Sequence, residues 1–91
     1  AEAVPELLAC ADDGPTAVRV AALRALAALG PRAPEAVPVA ARLFARDKTP
    51  VDVLVAGVDV LAKCGGRAQL EIVCQKRNPA EVRARICAAF E

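Results

Sequence analysis

The sequence predicts an all-α protein, an α-α superhelix of about three helical hairpins and six helices. Three observations predict it. Apolar residues make up 56% of the chain while aromatic residues make up only 2%. Apolar positions recur at helical spacing, and a turn followed by an apolar helix occurs three times. A core of small aliphatic side chains suits close helix packing, because alanine is the best helix former and keeps backbones near one another.

The segment 12–30 holds one complete copy of this turn and helix. Its first four residues, Asp-Asp-Gly-Pro, end a helix predicted at about 2–11. We expect Asp13 or Gly14 to cap the next helix and Pro15 to take its first position, so that this helix covers about 15–29 and stops at Gly30. Nearly every residue of that helix is apolar, which indicates neighbours on more than one side.

The same pattern returns twice further along the chain. Helices are predicted at about 35–46, 50–64, 68–76 and 80–91, with proline-containing turns before the fourth and the sixth. Alignment of Pro15, Pro50 and Pro79 brings the second helices of the three units into register. The units cover about 1–30, 31–66 and 67–91. A two-helix unit at this period is typical of a solenoid, in which each hairpin is stabilised by its neighbours.

The repeat resembles the HEAT-repeat family, in particular its short, alanine-rich members. The resemblance rests on a few positions of the turns and second helices, namely Asp12, Asp13, Val18, Arg19, Ala21, Ala22, Leu26 and Gly30, with Asn78, Pro79, Val82 and Arg83 in the third unit. In that family, turn acids and second-helix arginines tend to form a ladder between units. The resemblance therefore implies a structural ladder of turn acids at Asp12, Asp13 and Asp47 with arginines at Arg19 and Arg83.

Two positions of the second unit depart from the family pattern. Leu54 stands where the ladder arginine is expected, and Gly57 stands at an alanine position. This departure predicts an interrupted ladder and a looser or differently curved middle unit. In the third unit, we expect Asn78 to cap the helix that follows it.

Composition disfavours several classes of function. The net charge is +1, with 12 basic and 11 acidic residues spread along the chain, so the basic face of a nucleic-acid-binding domain is missing. No apolar run reaches the roughly 18 to 20 residues of a membrane span. The four cysteines, Cys10, Cys64, Cys74 and Cys87, follow no zinc spacing and there is no histidine. We expect them to be buried free thiols in a reducing, cytoplasmic compartment.

The residue types of an active site are also missing. The chain has no serine and no histidine, so the usual nucleophile–base pair cannot be assembled. The acids Asp12 and Asp13 lie in a turn, where capping is the more common role, and Gly65 and Gly66 read as a helix end. We expect no catalytic residue, no metal and no cofactor.

One strip of polar residues on the second helices is the candidate binding surface. Aligned positions of the three units carry Arg24, Asp52, Asp59, Lys63 and Glu81. We expect this strip to line a mixed-charge groove that contacts a peptide or protein, with Arg24 and Asp59 paired across it. An ordinary solvated face is the alternative interpretation.

The leading function is a non-catalytic protein–protein interaction scaffold or adaptor. One alternative is a structural subunit of a large cytoskeletal or ciliary assembly. Another is a HEAT-like module of a bilin lyase or other modification enzyme. Neighbouring repeats or subunits are expected to cover apolar residues at the two ends, which are Val4, Leu7 and Leu8 at one end and Ile86, Cys87 and Phe90 at the other.

Overall fold

A computed structural model describes residues 4–46, 48–75 and 78–90. Within them, every regular element is helical, which confirms the predicted all-α class. The six α-helices are α1 (Val4–Asp13), α2 (Thr16–Leu29), α3 (Ala36–Ala45), α4 (Val51–Lys63), α5 (Arg67–Cys74) and α6 (Ala80–Phe90), and a short 3₁₀ helix covers Gly30–Arg32. In these ranges no helix combines the length and apolar character that crossing a bilayer requires.

The helices pack in two layers. The odd-numbered helices contact one another in chain order, α1 with α3 and α3 with α5, and the even-numbered helices do the same, α2 with α4 and α4 with α6. Each odd helix also contacts the even helix that follows it. The smallest extent of the molecule is 16 Å, which matches two helix layers about 10 Å apart.

Helix α4 is the centre of the molecule. It packs against α2, α3, α5 and α6, and seven of its 13 residues are buried. Helix α2 packs against α1 and α4 and buries four of its 14 residues. Although its sequence is almost entirely apolar, Ala17, Val18 and Ala21 remain exposed. Only some of the apolar side chains of α2 are therefore buried in the core.

The three aligned prolines have the same structural role. Pro15 and Pro50 are the N-cap residues of α2 and α4, with φ near −57° and extended ψ of 155° and 147°. The carbonyl oxygens of all three prolines accept a hydrogen bond from the amide four residues later, at distances of 2.8, 3.1 and 3.0 Å for Pro15, Pro50 and Pro79. The repeat alignment thus corresponds to one recurring backbone geometry.

The predicted caps of α2 are corrected by this geometry. Pro15 lies at the N-cap and not at the first helical position, and no side chain caps the helix, so Asp13 and Gly14 do not have that role. An N-cap residue needs a φ near −60° and an extended ψ, which proline adopts without strain, and its own amide is not needed by the helix. The predicted helix stop at Gly30 is confirmed: its φ is +60°, and its amide donates to carbonyl groups of the last turn.

The cysteines differ in burial. Cys64 is buried, but Cys10, Cys74 and Cys87 are exposed, so the prediction of four buried thiols is wrong for three of them. Apolar sequence neighbours did not reveal which helix face each thiol occupies. All four thiols are free.

The two ends of the chain are partly covered by the chain itself. Val4 and Ile86, which were expected to need outside neighbours, are buried, with exposures of 4% and 3%. Phe90 is half-buried, and the guanidinium of Arg67 lies 4.9 Å from the centre of its ring. Cys87 remains exposed.

Candidate functional site

An open groove crosses the even-numbered layer. Its volume is about 1070 Å³, and residues of α2, α4 and α6 line it. The lining residues are Thr16, Ala17, Val20, Ala21 and Arg24 of α2, Asp52, Val55, Ala56 and Asp59 of α4, and Glu81 and Arg85 of α6.

The apolar part of the groove is built from small side chains. Val20 and Val55 are half-buried and pack against the core, and Ala56 is buried. Ala17 and Ala21 are exposed on the α2 side. Because these side chains are short, the groove remains open along helices that otherwise pack closely.

The position of each charge in the groove depends on how far along its helix the residue lies. Thr16, Asp52 and Glu81 belong to the first turns of α2, α4 and α6. The three first turns line one groove, so the three helices point the same way. Arg24, Asp59 and Arg85 follow four to eight residues later, about 6 to 12 Å further along the helices. The first turns therefore carry the carboxylates of Asp52 and Glu81, and the later positions carry both arginines together with the carboxylate of Asp59. First-turn carboxylates also stabilise the helix N-termini.

The ion pair in the groove differs from the predicted one. Asp59 Oδ1 lies 3.5 Å from Arg85 Nη1, so the expected pairing of Asp59 with Arg24 is wrong. Arg24, Asp52 and Glu81 have no ion pair within the described part of the chain.

Arg85 also lines the groove, although it is not among the aligned polar positions that predicted this surface. It lies one helical turn after Glu81, and an i, i+4 spacing on α6 would have found it.

Four of the five residues predicted for the groove line it. Arg24, Asp52, Asp59 and Glu81 are all lining residues. Lys63 is exposed but does not line the groove. It lies four residues after Asp59, one helical turn further along α4. The polar groups of the groove are thus carboxylates, guanidinium groups and one hydroxyl, which together can hold a ligand that carries both signs of charge.

Asp12 pairs with the first helix of the next unit. Its carboxylate Oδ1 lies 2.7 Å from Arg46 Nη2, and its backbone oxygen accepts a 2.7 Å hydrogen bond from Arg46 Nη1. Arg42 Nη2 is 4.0 Å away. Arg42 lies in α3 and Arg46 is the C-cap residue of that helix, whereas the ladder implied arginines of the second helices.

The other residues predicted for the ladder and caps are distributed around the turns. Arg19 is half-buried, and its buried Nε has no hydrogen-bond partner in the described residues. Asp13 and Arg83 are exposed, with no ion pair across the same ranges. Asn78 Nδ2 donates to the carbonyl oxygen of Val73 at 2.9 Å, near the end of α5. Asp47 lies outside the described residues.

Neither a metal cluster nor a matching protein gives a further indication of function. Over residues 4–46, 48–75 and 78–90, no group of three or more histidine, cysteine, aspartate or glutamate side chains could hold a metal ion. Comparison of the chain with protein-family models, curated proteins and solved structures finds no significant match.

Proposed function

We propose that this chain is a non-catalytic protein–protein interaction module of the HEAT-like solenoid type, and that the groove over α2, α4 and α6 binds a segment of a partner protein. The observation that carries the proposal is the arrangement of the groove. Small apolar side chains lie among charges of both signs, with Asp52 and Glu81 in the first turns and Arg24 and the paired Asp59 and Arg85 further along the helices. Arg24, Asp52 and Glu81 have no partner in the described chain.

The open shape of the groove favours a peptide segment over a small molecule. Small-molecule sites are clefts or cavities of about 300 to 1000 Å³ that bury most of the surface of their ligand. This groove is open, has a volume of about 1070 Å³ and runs over three helices. Its half-buried valines offer apolar contact, while its exposed charges contribute orientation and specificity more than affinity.

The spacing of the charges defines the partner segment. A lysine or arginine of the partner would face Asp52 and Glu81, and an aspartate or glutamate would face Arg24. Asp52 aligns with Ala17 of α2, which is seven residues before Arg24, or about 10 Å along the helices, since each residue rises 1.5 Å. Because packed helices lie about 8 to 10 Å apart, the positions of Asp52 on α4 and Arg24 on α2 are about 14 Å apart. An extended peptide covers that distance in about four residues. The expected segment therefore has a basic and an acidic residue about four positions apart, with small apolar residues between them.

The repeated architecture supports the same function. Hairpins that stack in order create an extended surface from equivalent positions of successive units. Here, ten of the eleven groove residues occupy aligned positions, namely Ala17, Asp52 and Glu81, then Val20 and Val55, then Ala21, Ala56 and Arg85, and finally Arg24 and Asp59. A surface that is built up from repeats in this way suits recognition of an elongated partner.

Selection from a displayed library of random linear peptides tests the proposal. The immobilised chain is expected to enrich peptides with the charge spacing given above. The double variant Asp52→Lys/Glu81→Lys should weaken binding of the selected peptides at least tenfold. Glu35→Lys/Glu71→Lys is the matched control, because it changes the net charge equally at exposed positions outside the groove.

Two results would contradict the proposal. One is equal binding of the selected peptides to the groove variant and to the wild type. The other is enrichment of peptides that the control variant loses but the groove variant retains, which would place the binding surface elsewhere. Far-UV circular dichroism of each variant establishes that its helices are intact.

A further inference from the structure

The chain contains only two hydroxyl side chains, and one of them has the sequence context of a modification site. There is no serine and no tyrosine, and the two threonines are Thr16 and Thr49. Thr49 is followed directly by Pro50, whereas Thr16 is followed by Ala17. A threonine directly before a proline is the pattern that proline-directed protein kinases select. Thr49 therefore differs from Thr16 in the feature that such an enzyme reads.

The side chain of Thr49 lies at an open pocket that carries positive charge. The pocket has a volume of about 320 Å³, and its polar lining residues are Arg46, Lys48, Thr49 and Asn78. None of the described lining residues is acidic. Phosphate on a threonine that lies beside cationic side chains gains charge-assisted hydrogen bonds from them. The surroundings of Thr49 therefore suit a phosphate group.

The turn that contains Thr49 is strained and opens at low cost. Lys48 has a φ of +66°, in the left-handed region that a lysine rarely adopts. The Thr49 hydroxyl is half-buried and donates to the carbonyl oxygen of Leu43 at 3.0 Å. Opening the turn breaks this hydrogen bond but releases the strain at Lys48, so the two effects offset each other. Because none of the residues 48–50 is buried, opening also leaves the core intact.

The hydroxyl proton of Thr49 has a structural role that phosphorylation removes. The last four carbonyl groups of a helix have no partner inside that helix. Leu43 carries one of these carbonyl groups in α3, and Thr49 supplies its hydrogen bond. The ester oxygen of phosphothreonine has no proton to donate, so this bond is lost. The end of α3, where Arg46 is the C-cap residue, then becomes less constrained.

Arg46 connects this turn to α1. Its guanidinium donates to the carboxylate and to the backbone oxygen of Asp12, both at 2.7 Å. A phosphate on Thr49, three residues from Arg46, carries about 1.5 to 2 negative charges at pH 7, whereas the Asp12 carboxylate carries one. We propose that Thr49 is the acceptor of a proline-directed protein kinase, and that its phosphate draws Arg46 away from Asp12 and so breaks the polar contact between α1 and α3.

The transfer needs only the kinase and a nucleoside triphosphate. Oγ1 of Thr49 forms a bond to the γ-phosphorus, while the bond from that phosphorus to the oxygen of the departing nucleoside diphosphate breaks. The hydroxyl proton passes to the catalytic base of the kinase. No residue lines both this pocket and the groove, so phosphorylation of Thr49 is independent of the proposed peptide binding.

Incubation of the folded chain with a purified proline-directed kinase and ATP tests the acceptor. Mass spectrometry should show one phosphoryl group, and fragmentation should place it on Thr49. Thr49→Val should abolish incorporation, and Pro50→Ala should lower its initial rate at least tenfold. Thr16→Val is the matched control, because it removes the other hydroxyl side chain, and should be phosphorylated like the wild type.

Three results would overturn the assignment of the acceptor. These are a wild-type chain that takes up no phosphate, incorporation on Thr16, and a rate that Pro50→Ala leaves unchanged. Circular dichroism of each variant establishes that its helices are intact.

Hydrogen exchange of the amides of α1 tests the structural consequence. These amides should exchange about two- to fivefold faster in the phosphorylated chain, the change expected for loss of one exposed ion pair. Arg46→Ala should show the faster exchange without phosphate, and its phosphorylation should add little, because the contact with Asp12 is already missing. Equal exchange in the phosphorylated and unmodified wild type would overturn the link to Asp12. An acceleration of the same size in phosphorylated Arg46→Ala would overturn it as well.

Discussion

At the scale of single residues, burial decides the chemistry of Cys64. The residue ends α4 with 4% of its surface exposed, and its Sγ donates a hydrogen bond to the carbonyl oxygen of Leu26 at 3.4 Å. A thiolate there would lose its hydration and face a carbonyl oxygen. Burial therefore raises the pKa of the Cys64 thiol above its ordinary value. A thiol of this kind reacts slowly, because the thiolate is the nucleophile.

Labelling with a thiol reagent should separate the cysteines into two classes. In the folded chain, Cys10, Cys74 and Cys87 are exposed and should react rapidly, while Cys64 should react at least tenfold more slowly. In denaturant all four should react at similar rates. Cys64→Ala is the control and should lose only the slow phase. Four rapid equivalents in the folded wild type would contradict the burial of Cys64.

The same pKa shift predicts a pH dependence of stability. Because the pKa of Cys64 is higher in the folded chain, its stabilising contribution is complete below the pKa of the unfolded thiol, about 8.5, and is lost as the pH rises through the folded value. Urea unfolding at about pH 7 and about pH 10 measures the effect. The difference in unfolding free energy between the wild type and Cys64→Ala should shrink at the higher pH. A difference that stays constant would show that the thiol does not titrate differently in the two states.

Two glycines show how packing decides the effect of one methyl group. A Cβ at Gly57 would lie 3.3 Å from Cε2 of Phe44, whose ring is half-buried and can move by a few tenths of an ångström. A Cβ at Gly66 would lie 2.9 Å from Cδ2 and 3.2 Å from Cα of Leu61, which is fully buried. The Phe44 ring also fills the space beside Gly57, so this glycine does not leave the middle unit loosely packed.

Alanine at these two positions should have opposite effects. Gly57→Ala should stabilise the chain by up to about 1 kcal/mol, because the gain in helix propensity exceeds the cost of moving Phe44. Gly66→Ala should destabilise it by about 1 to 3 kcal/mol, because the core around Leu61 would be overpacked. Thermal or urea unfolding of the two variants measures both signs. Equal destabilisation by both would mean that the Phe44 ring is fixed.

At the scale of helices, the contact between Asp12 and Arg46 ties α1 to α3. Arg46 donates to both the carboxylate and the backbone oxygen of Asp12. The side chains are 33% and 41% exposed, so solvent and salt screen the attraction. The contact therefore fixes the relative position of two helices in the odd layer more than it stabilises the fold.

A double-mutant cycle should measure this contact as a small coupling. Asp12→Ala and Arg46→Ala should show a coupling energy of about 0.3 to 1 kcal/mol at low ionic strength, falling towards zero in high salt. The neighbouring variant Asp13→Ala is the control, since Asp13 has no ion pair among the described residues. A coupling above about 2 kcal/mol, independent of salt, would indicate a contact that water does not reach.

At the scale of the whole molecule, each of the two layers contains only three helices in the described part of the chain. A chain of 91 residues buries only about two-thirds of its unfolded surface, and one helix, α4, holds the largest share of buried positions. Its neighbours in the even layer each have one uncovered face. Stability is therefore sensitive to whatever covers those faces.

The melting temperature should consequently depend on protein concentration. If copies of the chain associate through these uncovered faces, mass action stabilises the folded state, and the melting temperature should rise by several degrees over a hundredfold increase in concentration. Val18→Glu, which adds a charge at an exposed residue of α2, should melt at one temperature throughout that range. A wild-type chain that melts sharply, at high temperature and independently of concentration would contradict a role for neighbours at the ends.

The sequence by itself determined the helices and the turns between them. Proline and glycine act through their own backbone geometry, so the starts after Pro15, Pro50 and Pro79 and the stop at Gly30 were predictable within one or two residues. The aligned polar positions likewise identified most of the groove, because spacing along a helix determines which residues share a face.

Only the tertiary structure decided which faces are covered and which charges meet. Whether a thiol such as Cys87 is exposed depends on where the neighbouring helices lie, and the sequence of its own helix does not determine their positions. Asp59 pairs with Arg85, and Asp12 with Arg46, across helices whose relative rotation is set by the packing of the core. Local sequence determines where each helix begins and ends, whereas contacts between residues 26 or 34 positions apart are fixed only when the layers pack together.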